Sequence, residues 1–451
     1  MPTICLVALN SAWYQSNPAL YYLREILRGL PYRVRLLEFS LDEVPESVLA
    51  AIFRSRPDIL CFSAYIWNKS CLQQLLPELK KLLPQTRIMV GGPEALQSDW
   101  GLGAQDFVVN GPGEGVLRSL AEAGFLQPGG VYASAAPPLR ELPFPYRRSD
   151  RSALAGKLVY YECSRGCSFR CVYCLSALDQ RQEQRFDPSL SQDRRRLFRE
   201  LDRLVALSPR TLKFVDRSFN TQPGLARLIW EYAICCEAPC EFHFEIFPDL
   251  LNPEDLLLLE KAPPGRIRFE IGVQTVNASV SKACRRPSNW LLVKPILRAL
   301  RERTAICLHL DLLAGLPGEK IPSILHSLNE VASVFPHEIQ LGMLKILPGT
   351  PMRDIALQRG YAWMDAPPYQ ILATDTLGFT QISKLQELAR IVNLYWNKGE
   401  FSQEWQNLLA SGQIAAPLFQ KLLLYHHRHS LPLHSISRQK RSEVFQNAIL
   451  A

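Results

Sequence analysis

Three cysteines constrain this chain of 451 residues more than anything else in it: Cys167, Cys171 and Cys174, spaced C-x3-C-x2-C. The residues before them, KLVYYE at 157–162, form a short apolar run rich in Val and Tyr, the pattern of a β-strand. Ser164, Arg165 and Gly166 break that pattern, so the cysteines fall in the loop that follows. Three thiolates from one loop can hold a cuboidal iron–sulfur cluster by all but one of its irons, whereas a cluster used only to carry electrons is held by a full set of cysteines. The uncovered iron points to a ligand that is not protein. A zinc site would bring a second ligand pair. Only Cys171 and Cys174 form a pair, and Cys235, Cys236 and Cys240 lack the companion spacing. Cys163, four residues upstream of Cys167, could be a fourth ligand but reads as the end of the strand.

A C-x3-C-x2-C loop after a strand resembles the signature of the radical S-adenosylmethionine enzymes. The resemblance implies that the open iron is chelated by the amino and carboxylate groups of S-adenosylmethionine. An electron from the cluster would then split the sulfonium into methionine and a 5′-deoxyadenosyl radical. Tyr173, just before the last cysteine, matches the aromatic that packs near the adenine in that family. Further along, GVQ at 272–274, AGLPGE at 314–319 and LPGTP at 347–351 resemble the family's later motifs.

The pattern around the loop predicts how the chain is divided. Residues 1–126 alternate short apolar strands (3–9, 33–39, 58–64, 87–90 and 107–110) with helical stretches, which predicts a doubly wound parallel sheet. Ser40 is placed to cap a helix over 41–55. Residues 127–155 are rich in Pro, Gly, Ala and Ser and read as a partly extended linker. Residues 156–365 give a second α/β series. Its strand signals at 157–162, 211–216, 241–247, 267–273, 306–312 and 340–347 fit an incomplete parallel (β/α)6 barrel. Residues 366–451 are helical, with aromatics at Tyr395, Trp396, Phe401 and Trp405 and a loose cluster of His426, His427, His429 and His434 that reads as surface helix and tail.

Open parallel sheets bind ligands beyond the carboxyl ends of their strands. In the first domain those ends carry Asn10–Asn17, Ser63–Asn68, Gly91–Glu94 and Gly111–Gly115. Neither glycine cluster is G-x-G-x-x-G, so a dinucleotide site is unsupported. The arrangement resembles the cobalamin-binding domain that precedes many radical S-adenosylmethionine cores. That resemblance implies a cobalamin site drawn from Asn10, Ser63, Tyr65, Trp67, Gly91, Gly92 and Glu114. Ser63 and the two glycines would stand at the nucleotide loop, and Tyr65 and Trp67 against the lower corrin face. Residues 1–125 contain no histidine, so no imidazole of this domain can reach cobalt.

In the barrel the strand ends carry polar groups that cost burial energy unless they bond something. Asp216, Glu245, Glu270 and Gln274, with Tyr173, are the side chains expected to meet S-adenosylmethionine. They could instead pair with the barrel's own Arg217, Arg268 and Lys345. His309, between Leu308 and Leu310, reads as a core histidine.

Taken whole, the chain resembles cobalamin-binding-domain radical S-adenosylmethionine enzymes that end in a helical domain of uncharacterised function. VALNSAWYQSNPALYYLRE, YYECSRGC and LKFVDRSFN carry that closer match. It implies an enzyme with a 4Fe-4S cluster, S-adenosylmethionine and cobalamin that modifies a substrate, a small molecule, a peptide or an RNA, with methylation as one expected modification. A non-methylating radical rearrangement or cyclisation is the near alternative. A cluster that only senses redox state or iron is the alternative from another class. An electron donor such as flavodoxin or ferredoxin is the implied partner. The net charge of +8 is scattered rather than drawn into the stripe a nucleic-acid binder presents. No apolar run reaches the ~18 residues needed to span a membrane, and an oxygen-labile cluster fits a reducing cytoplasm.

Overall fold

The computed structural model describes residues 1–450 and divides into two compact units. The first comprises 1–165, 183–215 and 238–240. Its amino-terminal sheet has the order β2-β1-β3-β4-β5-β6 and is parallel throughout. The strands are β1 (Thr3–Asn10), β2 (Arg33–Ser40), β3 (Ile59–Ser63), β4 (Arg87–Gly91), β5 (Phe107–Asn110) and β6 (Gly130–Ala133). The intervening helices are α1 (Pro18–Ile26), α2 (Pro45–Ser55), α3 (Lys69–Leu82) and α4 (Gly113–Glu122). Strand alternation decides which helix covers which face. Ile4, Leu6 and Ala8 of β1 pack with Leu20 of α1 and Val116, Leu117 and Leu120 of α4. Cys5, Val7 and Leu9 face the other way, onto Ile52 of α2 and Leu72, Leu75 and Leu79 of α3. Burial of β1 on both faces explains its near-continuous apolar run.

The structure corrects two readings here. Ser40 does not cap a helix; its backbone N–H donates to the Glu43 carboxylate at 2.9 Å, and α2 begins at Pro45, whose fixed φ suits a first helical position. The segment expected to be a linker is ordered. Gly130–Ala133 joins the sheet beside β5, and Leu139 and Leu142 are buried against Tyr22. Asp150 receives two 2.7 Å hydrogen bonds from the Arg24 guanidinium, which is itself buried. The same unit holds β7 (Leu158–Tyr161), paired in parallel with Thr211–Phe214.

The second unit comprises 166–182, 216–237 and 241–451. Strands Glu241–Glu245, Ile267–Gln274, Cys307–Ala314 and Glu338–Met343 are parallel neighbours in that order. Helices separate them, so the chain order from β7 onward is that of the expected incomplete barrel. Strands 267–274 and 307–314 alternate buried and half-buried positions. Phe269, Ile271, Leu308 and Leu310 are buried on one face, while Glu270, Gln274, His309 and Asp311 share the other.

Helices Phe379–Tyr395, Ser402–Ala410, Ala415–Arg428 and Arg438–Phe445 complete this unit. Their core is aromatic: Trp405 lies 5.4 Å from Trp396 and 4.8 Å from Phe419, and Phe401 stacks on Phe445 at 4.4 Å. His426 is wholly buried here, not on the surface as expected, because its Nε2 meets the Tyr395 hydroxyl at 2.7 Å and its Nδ1 the Pro432 carbonyl at 3.1 Å. His427 faces Glu387 at 3.4 Å. Among the described residues no helix is long and apolar enough to cross a membrane.

Candidate active site

The cysteine loop is pinned at several points by backbone hydrogen bonds. The Cys167 N–H donates to the Asp179 carbonyl at 2.9 Å, Val172 N–H to the Cys284 carbonyl at 3.1 Å, and Met352 N–H to the Val172 carbonyl at 2.9 Å. Gly166 enters the loop at φ +87°, and a Cβ there would stand 2.7 Å from the Asp179 carbonyl, so no other residue fits. Cys167, Cys171 and Cys174 all line one cavity of about 160 Å³. Among the described residues no three His, Cys, Asp or Glu side chains converge tightly enough for a single metal ion. The thiols surround a space instead. Burial pushes the Cys167 thiol up, so a metal that bound there would have to displace its proton. Cys163, which unlike the half-buried Cys167 is fully buried, does not line this cavity.

Tyr173, Glu245, Glu270 and Gln274 line the same cavity. The Tyr173 hydroxyl is buried and, among the described residues, meets no partner at ordinary hydrogen-bond geometry. Glu245 lies 3.6 Å from the Arg217 guanidinium, and Glu270 2.9 Å from the His243 imidazole. Gln274 sits at φ +66° where the strand register slips, a bulge that re-aims its side chain. A Cβ on Gly272 would collide with the Gln274 amide. Asp216 is the exception. It is buried and does not line the cavity. The strand expected to run through 216 ends at Phe214, so Arg217 and Ser218 face the space in its place. Arg268 pairs with Glu241 and Glu338, away from these groups.

Asp311, a polar residue of the fifth barrel strand, also lines the cavity, and Phe169, Phe247 and Arg286 line it without having been singled out from sequence. Asp311 lies 3.1 Å from the His309 imidazole, and burial, against that hydrogen bond, raises its carboxyl above the usual range. Burial works against charge on His309, but the hydrogen bond to Asp311 and the nearby Glu270 and Glu338 push its pKa up overall. The Arg286 guanidinium approaches the Cys171 sulfur at 3.8 Å, donates to the Gly272 carbonyl and covers the Phe247 ring at 5.0 Å. Phe247 in turn stacks on Phe169 at 4.2 Å. In the sequence the only trace of Arg286 is a pair of arginines before a proline.

A second cavity, of about 290 Å³, lies within the first unit. Leu6, Met89 and Val109 of the sheet form one wall and Leu20 and Leu117 of α1 and α4 the other. Ser63, Tyr65, Gly91, Gly92 and Glu114 line it. Gly92 is held at φ +102°, and a Cβ there would stand 2.6 Å from the Ala64 carbonyl. The Ser63 hydroxyl accepts from the Asn17 amide at 3.1 Å. Glu114 is paired with Arg165 at 2.6 Å, and Arg165 with Glu162 at 2.9 Å. The buried hydroxyl of Tyr22, which also lines the cavity, has no hydrogen-bond partner among the described residues. Asn10 and Trp67 do not line it. Asn10 is engaged by Glu38 at 2.9 Å across the β1–β2 pair. Trp67 stacks on Tyr65 at 4.3 Å and donates its indole N–H to the Leu9 carbonyl at 3.2 Å.

Residues 4–121 match the model of the B12 binding domain, 161–331 that of the Radical SAM superfamily, and 358–448 that of a family of unknown function, DUF4080. No protein of curated function gives a significant match. Among solved structures, the radical S-adenosylmethionine methyltransferase TsrM from Kitasatospora setae, with tryptophan and a S-adenosylmethionine analogue bound, has a TM-score of 0.63 and 18% identity, covering 81% of this chain and 77% of its own. The same enzyme with cobalamin and a [4Fe-4S] cluster bound gives 0.63 and 18%, over 81% and 76%. The cobalamin-dependent S-adenosylmethionine radical enzyme OxsB, with aqua-cobalamin and S-adenosylmethionine bound, gives 0.66 and 15%, over 99% and 75%. At these identities the likeness is one of fold.

Proposed function

We propose, from the premise that this chain belongs to the radical S-adenosylmethionine superfamily and carries an amino-terminal B12-binding domain, that it cleaves S-adenosylmethionine reductively and methylates an unreactive position of its substrate. The observation that carries this reading is the meeting of three thiols and a set of carboxylates around one cavity. When bound, the cluster would supply the electron that splits the sulfonium, and cobalamin a transferable methyl group.

The protein's own residues account for the rest. Cys167, Cys171 and Cys174 would hold the cluster as thiolates and leave one iron open. Glu245, Glu270 and Asp311 give the cavity a negative wall suited to a sulfonium and an ammonium group. Arg217 and Arg286 offer donors for a carboxylate. Phe169 and Phe247 close the wall with apolar surface that excludes water. In the first unit, the slot between sheet and helices suits the nucleotide tail of a corrinoid, with Gly91 and Gly92 giving room and Ser63 a hydrogen bond. The absence of histidine from residues 1–125 means that this domain gives cobalt no imidazole. The twelve cysteines are all free thiols, which fits a reducing cytoplasm.

Binding of S-adenosylmethionine to anaerobically reconstituted protein tests the reading. It should change the paramagnetic resonance spectrum of the reduced cluster, as a ligand on an open iron must. Tyr173→Ala should keep its iron and bind S-adenosylmethionine about fivefold more weakly, since an aromatic contact is worth roughly 1 kcal/mol. A spectrum indifferent to S-adenosylmethionine would mean that no iron is open.

A further inference from the structure

The outer side of the cysteine loop carries a feature that the reaction cavity does not use. Ser168, Phe169 and Arg170 of the loop face residues 278–288 across an open concavity of about 470 Å³. Arg170, Lys282, Arg285 and Arg286 line it, and among the described residues no carboxylate does. Arg170, Lys282 and Arg285 are exposed, and Arg170 is held by the Gln180 side chain at 3.0 Å. Phe169 and Arg286 line both this concavity and the cysteine cavity, so a single layer of side chains separates the two.

We infer that this basic concavity is the docking surface for an acidic, one-electron donor protein. The inference rests on the proposed function, because reductive cleavage consumes an electron that the chain cannot make. A substrate must enter the cysteine cavity to meet the reacting atoms, but an electron need only cross the Phe169–Arg286 layer. The patch is compact and limited to a few cations, unlike the extended stripe that tracks a nucleic-acid backbone. Opposite charge steers the encounter and orients the donor. In the step itself the donor is oxidised by one electron and the cluster reduced by one. That electron then enters the sulfonium and breaks its bond from sulfur to the 5′ carbon, giving methionine and the carbon radical.

The test uses the full-length holoprotein, wild type and the double variant Lys282→Glu with Arg285→Glu, and follows 5′-deoxyadenosine formation. One arm is driven by a reduced flavodoxin of strongly acidic surface, the other by dithionite. At low ionic strength the variant should lose about tenfold or more in kcat/KM for flavodoxin. Its rate with dithionite and its iron content should match the wild type. Added salt should slow the wild-type flavodoxin reaction and not the variant's. The conservative pair Lys282→Arg with Arg285→Lys should retain the wild-type rate. Equal flavodoxin rates in wild type and charge-reversed variant would overturn the inference. So would an equal loss in both arms, or loss of affinity for an RNA oligonucleotide with the flavodoxin rate untouched. A wild type active with dithionite but inert to flavodoxin overturns the docking surface alone. A wild type that makes no 5′-deoxyadenosine with dithionite overturns the proposed function and this inference with it.

Discussion

Alanine at Cys167, Cys171 or Cys174 should strip the protein of iron and cut S-adenosylmethionine cleavage by about a thousandfold or more, because cofactor chemistry of this kind has no side-chain substitute. The three thiols line one cavity, and two thiolates cannot retain a cluster that already has one iron uncovered. Cys163→Ala is the control. Cys163 is fully buried within the first unit and is not among the residues around that cavity. It should keep a full complement of iron and lose only some packing. Iron content and 5′-deoxyadenosine yield of the purified variants check this, and loss of iron in Cys163→Ala alone would show that the wrong three cysteines had been chosen.

Filling the slot in the amino-terminal domain should have the next largest effect. Leu117 on α4 is buried and lines the slot of about 290 Å³. Leu117→Trp would place an indole in the space assigned to the nucleotide tail. We expect cobalamin affinity to fall about a hundredfold, near 3 kcal/mol. The cluster, in the other unit, should be untouched. Leu117 also packs in the core beneath the slot, so the larger ring should cost about 1–3 kcal/mol of stability, which urea unfolding of both proteins measures separately. Equilibrium binding of cobalamin to both proteins measures the affinity. Unchanged affinity would place the tail elsewhere.

The features legible in the sequence were those written locally. The cysteine spacing, the preceding strand and the alternation of strands and helices each lie within a few residues, and the structure reproduces them. Glu270 and Gln274 were legible for a related reason: polar residues at alternate positions of an apolar strand must share its inner face. What escaped depends on convergence or on where an element stops. Arg286 reaches Cys171 across 115 positions of chain, and nothing near Arg286 announces it. Asp216 was misplaced because its strand ends two residues earlier than the apolar run suggests. Asn10 stands at the end of β1, where a ligand residue is expected, but the parallel register brings Glu38 to its amide. The sixth strand was hidden in a Pro- and Gly-rich segment because an exposed edge strand needs no apolar alternation.

The product of S-adenosylmethionine turnover decides whether this protein cleaves the sulfonium reductively. Reconstituted protein incubated without oxygen, with S-adenosylmethionine and dithionite, should release 5′-deoxyadenosine and methionine, and Cys174→Ala should release neither. An intact cluster with S-adenosylmethionine bound and no 5′-deoxyadenosine formed would contradict it.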